Sequence, residues 1–148
     1  MTEVELRVPV AASAATVWAA LTDWGRQGEW MLGTSVKVTG GDGRGVGSTL
    51  SAFTGVGPLG FTDTMRITEW EPPSRCAVVH TGAVVRGVGE FLVVAVSESA
   101  SEFVWVERLD LPFGVVGRVG WPVVRPAFVW GVRRSLAEFA RFAEGYER

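Results

Sequence analysis

The sequence predicts an α+β fold in which a seven-stranded, curled antiparallel sheet wraps one long C-terminal helix, with two short helices after the first strand. Three observations carry this. Trp121 to Arg148 reads as one amphipathic helix, because Phe128, Val132, Leu136, Phe139, Ala143 and Tyr146 recur at steps of three and four. From Thr34 to Pro112 the pattern is β: six strand-like segments joined by short turns, as in an antiparallel meander. Ahead of them stand one alternating strand and two short helical stretches. A helix this apolar on one side needs a large surface to lie on. A single helix cannot cover seven strands laid flat, so the sheet must curl round it and the short helices must plug one end. That arrangement leaves a hollow between sheet and helix.

In chain order, Val4, Leu6, Val8 and Val10 alternate with Glu3, Glu5, Arg7 and Pro9, a half-buried strand. Ser13 offers an N-cap to a helix over Ala14 to Thr22, with Val17, Trp18 and Leu21 on one side. A second short helix starts at Asp23–Trp24 and ends around Trp30 to Leu32. Strands follow over Ser35 to Thr39, Ser48 to Gly55, Phe61 to Glu71, Arg75 to Thr81, Val84 to Ser97 and Glu102 to Leu111. Pro72 and Pro73 end the third of these and Pro112 ends the sheet. Phe113 to Gly120 reads equally as loop or as the first turns of the last helix. Pro122 and Pro126 suit a first helical turn or a kink.

The chain has 148 residues, the length of a single domain over 1–148, with 47% hydrophobic residues, ample for a core. A net charge of −2 gives no electrostatic reason to expect nucleic acid. Cys76 is the only cysteine, so neither an internal disulfide nor a thiolate metal cluster is available, and a metal or cofactor is not expected. No signal peptide and no membrane span are expected, which fits a cytoplasmic protein. Trp121, Val129 and Trp130 fall partly off the main helical face and suit a homodimer contact or a cavity entrance.

Strand parity selects candidate site residues. On Phe61 to Glu69 the odd positions Phe61, Asp63, Met65, Ile67 and Glu69 form the inner face. On Glu102 to Leu111 the inner set is Phe103, Trp105, Glu107, Leu109 and Leu111. Asp63 and Glu107 therefore point inward, as polar anchors or acid/base groups, or else sit at a wet mouth or in a structural ion pair. His80, the only histidine, is a natural proton shuttle, but its strand has two plausible inner sets. Arg86 lies beyond the next turn; if it and His80 both face inward, they can stabilise an enolate or carboxylate. Trp24, Trp30, Phe53, Phe61, Met65, Phe91, Trp105, Phe128, Val132 and Leu136 are the side chains available for a greasy ligand. The Gly40–Gly47 loop is followed by a strand and not a helix, which makes it a hairpin turn, or a lid over the cavity, and not a dinucleotide site.

The order of elements, Val8-Pro9-Val10-Ala11-Ala12-Ser13, Val17-Trp18, Leu21-Thr22-Asp23, Trp30 and Glu69-Trp70-Glu71-Pro72-Pro73-Ser74-Arg75, with the closing β pair and last helix, resembles the START-like or SRPBCC superfamily. This is the helix-grip fold of the polyketide cyclase/dehydrase and lipid-transport group and of the major birch pollen allergen. The resemblance spans essentially the whole chain and implies a cavity for hydrophobic ligands. It leaves three functions open. The first, slightly ahead, is binding of a lipid- or aromatic-polyketide-like molecule. The second is a cyclase/dehydratase-type enzyme using His80, Asp63, Glu107 and Arg86. The third is an interaction module whose cavity its own tryptophans fill. Convergence of His80, Asp63 and Glu107 in one pocket favours the enzyme.

Overall fold

The computed structural model describes residues 2–83, 85–110 and 115–147. Seven strands, β1 (Thr2–Val10), β2 (Thr34–Gly40), β3 (Thr49–Val56), β4 (Leu59–Glu71), β5 (Arg75–Thr81), β6 (Arg86–Ser97) and β7 (Ala100–Asp110), form one antiparallel sheet. Its order is β1-β7-β6-β5-β4-β3-β2. The chain therefore leaves β1 at one edge and re-enters at the other. Helix α1 (Ala14–Leu21) and a 3-10 helix over Trp24–Glu29 make that crossing. Ser13 caps α1, its hydroxyl accepting from the Thr16 amide at 3.2 Å. The sheet grips helix α2 (Val115–Glu144). This is the helix-grip architecture expected from the order of elements.

The ambiguous stretch is helical from Val115 onward; Phe113 and Gly114 lie outside the described residues, as do Val84 and Leu111. Pro122 and Pro126 sit inside α2.

The two halves of α2 differ. Leu136, Phe139 and Ala143 are buried in the core, where Trp30 meets Phe139 and Phe103 at ring-centroid distances of 4.8 and 6.2 Å. Polar ties hold the same half. The Ala11 amide donates to Glu144, the Leu32 amide to Ser135 and the Tyr146 hydroxyl to Asp23, all at 2.8–2.9 Å. The half before Val132 has no buried residue among its described side chains. There the helix stands off from the sheet and the hollow opens.

Parity is modified at one place. A bulge between Ile67 and Glu69 inserts Thr68 into β4, so the inward sequence Phe61, Asp63, Met65, Ile67 continues at Trp70. Trp70 packs edge-on against Trp18 at 5.0 Å. Glu69, expected inside, lies on the outer face and pairs with Arg75.

Candidate functional site

Sheet and α2 enclose a cavity of about 690 Å³, walled largely by apolar side chains. The even set of β5, Cys76, Val78 and His80, faces it, which settles the parity of that strand. His80 is opposite Met65 on β4 and Gly87 on β6, while Glu107 on β7 is opposite Gly89 on β6. Asp63 lies two residues before Met65, on the same face. Four strands thus present one carboxylate, one imidazole, two glycines and a second carboxylate in a row.

The polar groups meet. His80 Nδ1 lies 3.0 Å from Asp63 Oδ1 and His80 Nε2 lies 2.9 Å from Glu107 Oε2. Two acceptors facing both ring nitrogens require the doubly protonated imidazolium, which donates to each. Burial is the largest single influence on His80 and pulls its pKa down. The hydrogen bonds and negative charges of Asp63 and Glu107 together override it, and the pKa rises from 6.5 to about 10. Glu107 Oε1 accepts from the Trp105 indole N–H at 3.0 Å, which fixes that carboxylate at both oxygens. Asp63 Oδ2 has no partner among the described residues, and Asp63 lines the cavity. Among the described residues, the free acceptor of the cluster is thus Asp63 Oδ2, on a residue that lines the cavity.

The bond from β5 to β7 passes over β6. It is possible because β6 carries no side chain there: a Cβ on Gly89 would stand 3.1 Å from both Glu107 oxygens. Gly87, at φ +118°, would place one 2.0 Å from the Arg108 carbonyl. Sequence reasoning missed these two glycines. Their signal was present as Gly87-Val88-Gly89, glycines at alternate positions of a strand facing the histidine strand.

Of the expected ligand-contacting side chains, Trp24, Phe61, Met65, Phe91, Trp105, Phe128 and Val132 line the cavity. Three do not. Trp30 is 2% exposed, wedged among Phe91, Phe103, Trp105 and Phe139. Phe53 lies on the other sheet face, opposite Ser35 and Thr62, its ring against Gly60. Leu136 is one turn beyond Val132, inside the closed core. Trp121 is an inward residue, its ring centroid 5.7 Å from that of Phe128 and tilted by 55°.

Arg86 is exposed at the rim, opposite Thr81 and Asp110, and has no hydrogen bond or ion pair among the described residues. It does not join His80, because the two occupy successive, opposite-facing register positions of the β5–β6 ladder. The glycine loop is no lid. The Trp24 indole donates to the Gly43 carbonyl at 2.8 Å, Ser48 accepts from the Gly43 amide at 3.2 Å, and no residue from 40 to 47 lines the cavity.

Cys76 lines the cavity with a thiol that burial pushes up to about 12, so it is held neutral. Among the described residues no group of three or more His, Cys, Asp or Glu is arranged to hold a metal ion. The imidazole nitrogens are both occupied by carboxylates.

Solved structures share the fold. Protein TTHA0849 from Thermus thermophilus superposes with a TM-score of 0.80 at 14% identity, covering 96% of this chain and 97% of that one. The Zhui aromatase/cyclase from Streptomyces sp. R1128 gives 0.80 at 18%, covering 97% and 93%. Norcoclaurine synthase from Thalictrum flavum, in complex with dopamine and hydroxybenzaldehyde, gives 0.70 at 15%, covering 99% and 89%. At these identities the likeness is one of fold. No curated protein matches the sequence. The sequence profile described as polyketide cyclase/dehydrase and lipid transport matches residues 1–144, and the chain belongs to that family.

Proposed function

We propose that the cavity binds a hydrophobic, flat small molecule of aromatic-polyketide-like chemistry and that Asp63, His80 and Glu107 move protons on it, as in a cyclase/dehydratase. The observation that carries this reading is the carboxylate–imidazolium–carboxylate chain set into an otherwise apolar cavity. A carrier needs only apolar walls and a polar anchor. A buried, doubly bonded histidine beside a carboxylate with one free oxygen is more than an anchor. The open volume also speaks against a cavity filled by its own tryptophans. An aromatase/cyclase and a synthase among the proteins of like fold are in keeping with chemistry in this cavity.

Asp63 is the base and His80 the group that tunes it. Asp63 Oδ2 takes a proton from a carbon between two ligand carbonyls, leaving an enolate. That carbon attacks a second carbonyl of the same molecule and a C–C bond forms. The new alkoxide recovers the proton from Asp63. Loss of water, with a second proton leaving carbon, completes the ring. The imidazolium, donating to Asp63 Oδ1, keeps the carboxylate oriented through both transfers, and Glu107 holds the imidazolium in place. Positioned acid–base catalysis of this kind contributes about 10²–10⁴-fold.

The test uses an aromatic 1,3-diketone such as benzoylacetone in deuterated buffer. NMR follows exchange of the central C–H, and tryptophan quenching follows binding. The expected result is protein-accelerated exchange that Asp63→Asn abolishes while binding persists. Binding without accelerated exchange makes the protein a carrier. Absence of both removes the proposal.

A further inference from the structure

Helix α2 has a second apolar face. Its inner face walls the cavity through Trp121, Val124 and Phe128. On the far side, Val119, Val123, Pro126 and Trp130 follow at spacings of four, three and four, which an α-helix stacks into one stripe about 60° wide. The stripe projects into solvent: Val119 is 70% exposed, Val123 80% and Trp130 62%. Exposed Arg118, Arg125, Arg133 and Arg134 surround it, and no carboxylate occurs from 115 to 137. The chain's net charge is −2, and it becomes −6 once these four cations are set aside. Uncompensated positive charge thus lies on the same helix segment that exposes bulky apolar side chains.

We propose that this face of α2 docks the protein on the surface of an anionic lipid bilayer. A basic amphipathic helix lies in the interfacial plane, its apolar stripe at the headgroup–acyl boundary and its arginines on lipid phosphates. The helix lies on the membrane and does not cross it, since no described helix is long and apolar enough to span. A second copy of the chain is the poorer occupant. Two-fold pairing through the stripe would set four arginines against four arginines with no carboxylate of this segment between them. The same half of α2 carries the open end of the cavity, where Val124 is both wall and 55% exposed. Docking brings that opening to the lipid, where hydrophobic molecules partition.

Vesicle flotation with the full chain tests this. Vesicles are phosphatidylcholine alone or phosphatidylcholine with phosphatidylglycerol, at low and high salt. The expected result is binding to the anionic vesicles only, released by salt. Arg125→Glu with Arg133→Glu lowers that affinity by at least about tenfold, at roughly fivefold per basic residue lost. Val123→Ser with Trp130→Ser weakens binding at low salt, and unchanged melting of both variants shows that they remain folded. Equal binding to both vesicle types, or no loss in either variant, overturns the proposal. So does a dimer in sedimentation equilibrium that Val123→Ser with Trp130→Ser splits.

Discussion

The two faces of the sheet carry two chains of alternating charge. On the inner face Asp63, His80 and Glu107 run from β4 to β7. On the outer face Glu69 meets Arg75, Arg75 meets Glu90 at 2.9 Å, Glu90 meets Arg108, and Arg108 meets Glu3 at 3.0 Å. Glu107 and Arg108 are neighbours in sequence, as are Gly89 and Glu90, so a step of one residue moves a side chain from one chain to the other. The outer chain is built on guanidinium groups that stay charged at any pH a protein meets. Every positive group in it faces at least two carboxylates, and it borders solvent. The inner chain is built on an imidazole, borders an apolar cavity and leaves one carboxylate oxygen, Asp63 Oδ2, unengaged among the described residues. Equivalent alternation thus gives a brace on one face and a proton-transfer device on the other. The difference lies in whether the cation titrates and whether a ligand can reach an open acceptor.

Removing the hub separates the two most strongly. His80→Ala leaves two carboxylates facing each other across the cavity wall with no cation between them. Loss of one partner from a buried pair costs about 3 kcal/mol, to be read in urea unfolding. Exchange of the diketone proton should fall at least about 100-fold. Stability loss with full exchange activity would show the inner chain to be a brace like the outer one.

The pH dependence of stability should have two limbs, one from each face. His80 is raised in the fold from 6.5 to about 10. Its contribution is complete below pH 6.5 and is lost as pH rises towards 10. Glu90 is moved the other way. Burial alone would raise it, but Arg108 and Arg75 together hold it below the ordinary 4.5. Its contribution is present above pH 4.5 and is lost as pH falls through its folded value. Thermal melting of wild type should therefore decline at both ends. His80→Ala should flatten the alkaline limb and Glu90→Gln the acid one. An alkaline limb that survives in His80→Ala would show that His80 is not its source. Glu90→Gln itself should cost about 1 kcal/mol and leave diketone exchange unchanged, since, although Glu90 borders the cavity, its carboxylate is engaged by Arg75 and Arg108 and makes no bond to Asp63, His80 or Glu107.

The order of the seven strands' elements and the gripped helix were legible because each rests on local periodicity: period two in Val4 to Val10, three and four in Phe128 to Tyr146. Asp63 and Glu107 were legible for the same reason, each being a carboxylate in an apolar parity set. Parity failed where the backbone departs from a regular strand. The Thr68 bulge sent Glu69 outward and Trp70 inward, and nothing in Ile67-Thr68-Glu69-Trp70 marks a bulge. His80 could not be oriented from its own strand, because Cys76-Ala77-Val78-Val79 is apolar on both faces. Neighbouring strands decide it, through register that a single strand does not encode. Trp30 and Leu136 were misassigned because an inward aromatic or aliphatic residue can serve core or cavity equally well. Which one depends on how far along α2 the sheet closes.

The finest distinction between the two chains rests on one hydrogen atom, the side chain of Gly89. Its φ is one that any residue adopts, so alanine there strains no backbone. The added methyl would stand 3.1 Å from both Glu107 oxygens, and the carboxylate must yield by a few tenths of an ångström. Those same oxygens carry the bonds to His80 at 2.9 Å and to the Trp105 indole at 3.0 Å, so the displacement acts on the group that holds His80. Gly89→Ala should change stability by less than about 1 kcal/mol. The same variant should lower the His80 pKa, followed by NMR titration of the ring, and slow diketone exchange by about threefold to tenfold. Gly82→Ala, whose methyl would meet Thr64 at an ordinary 3.5 Å, is the matched control and should do neither. If Gly89→Ala leaves both the His80 titration and the exchange rate at wild-type values, Glu107 does not act through His80. The inner chain would then end at Asp63 and His80 alone.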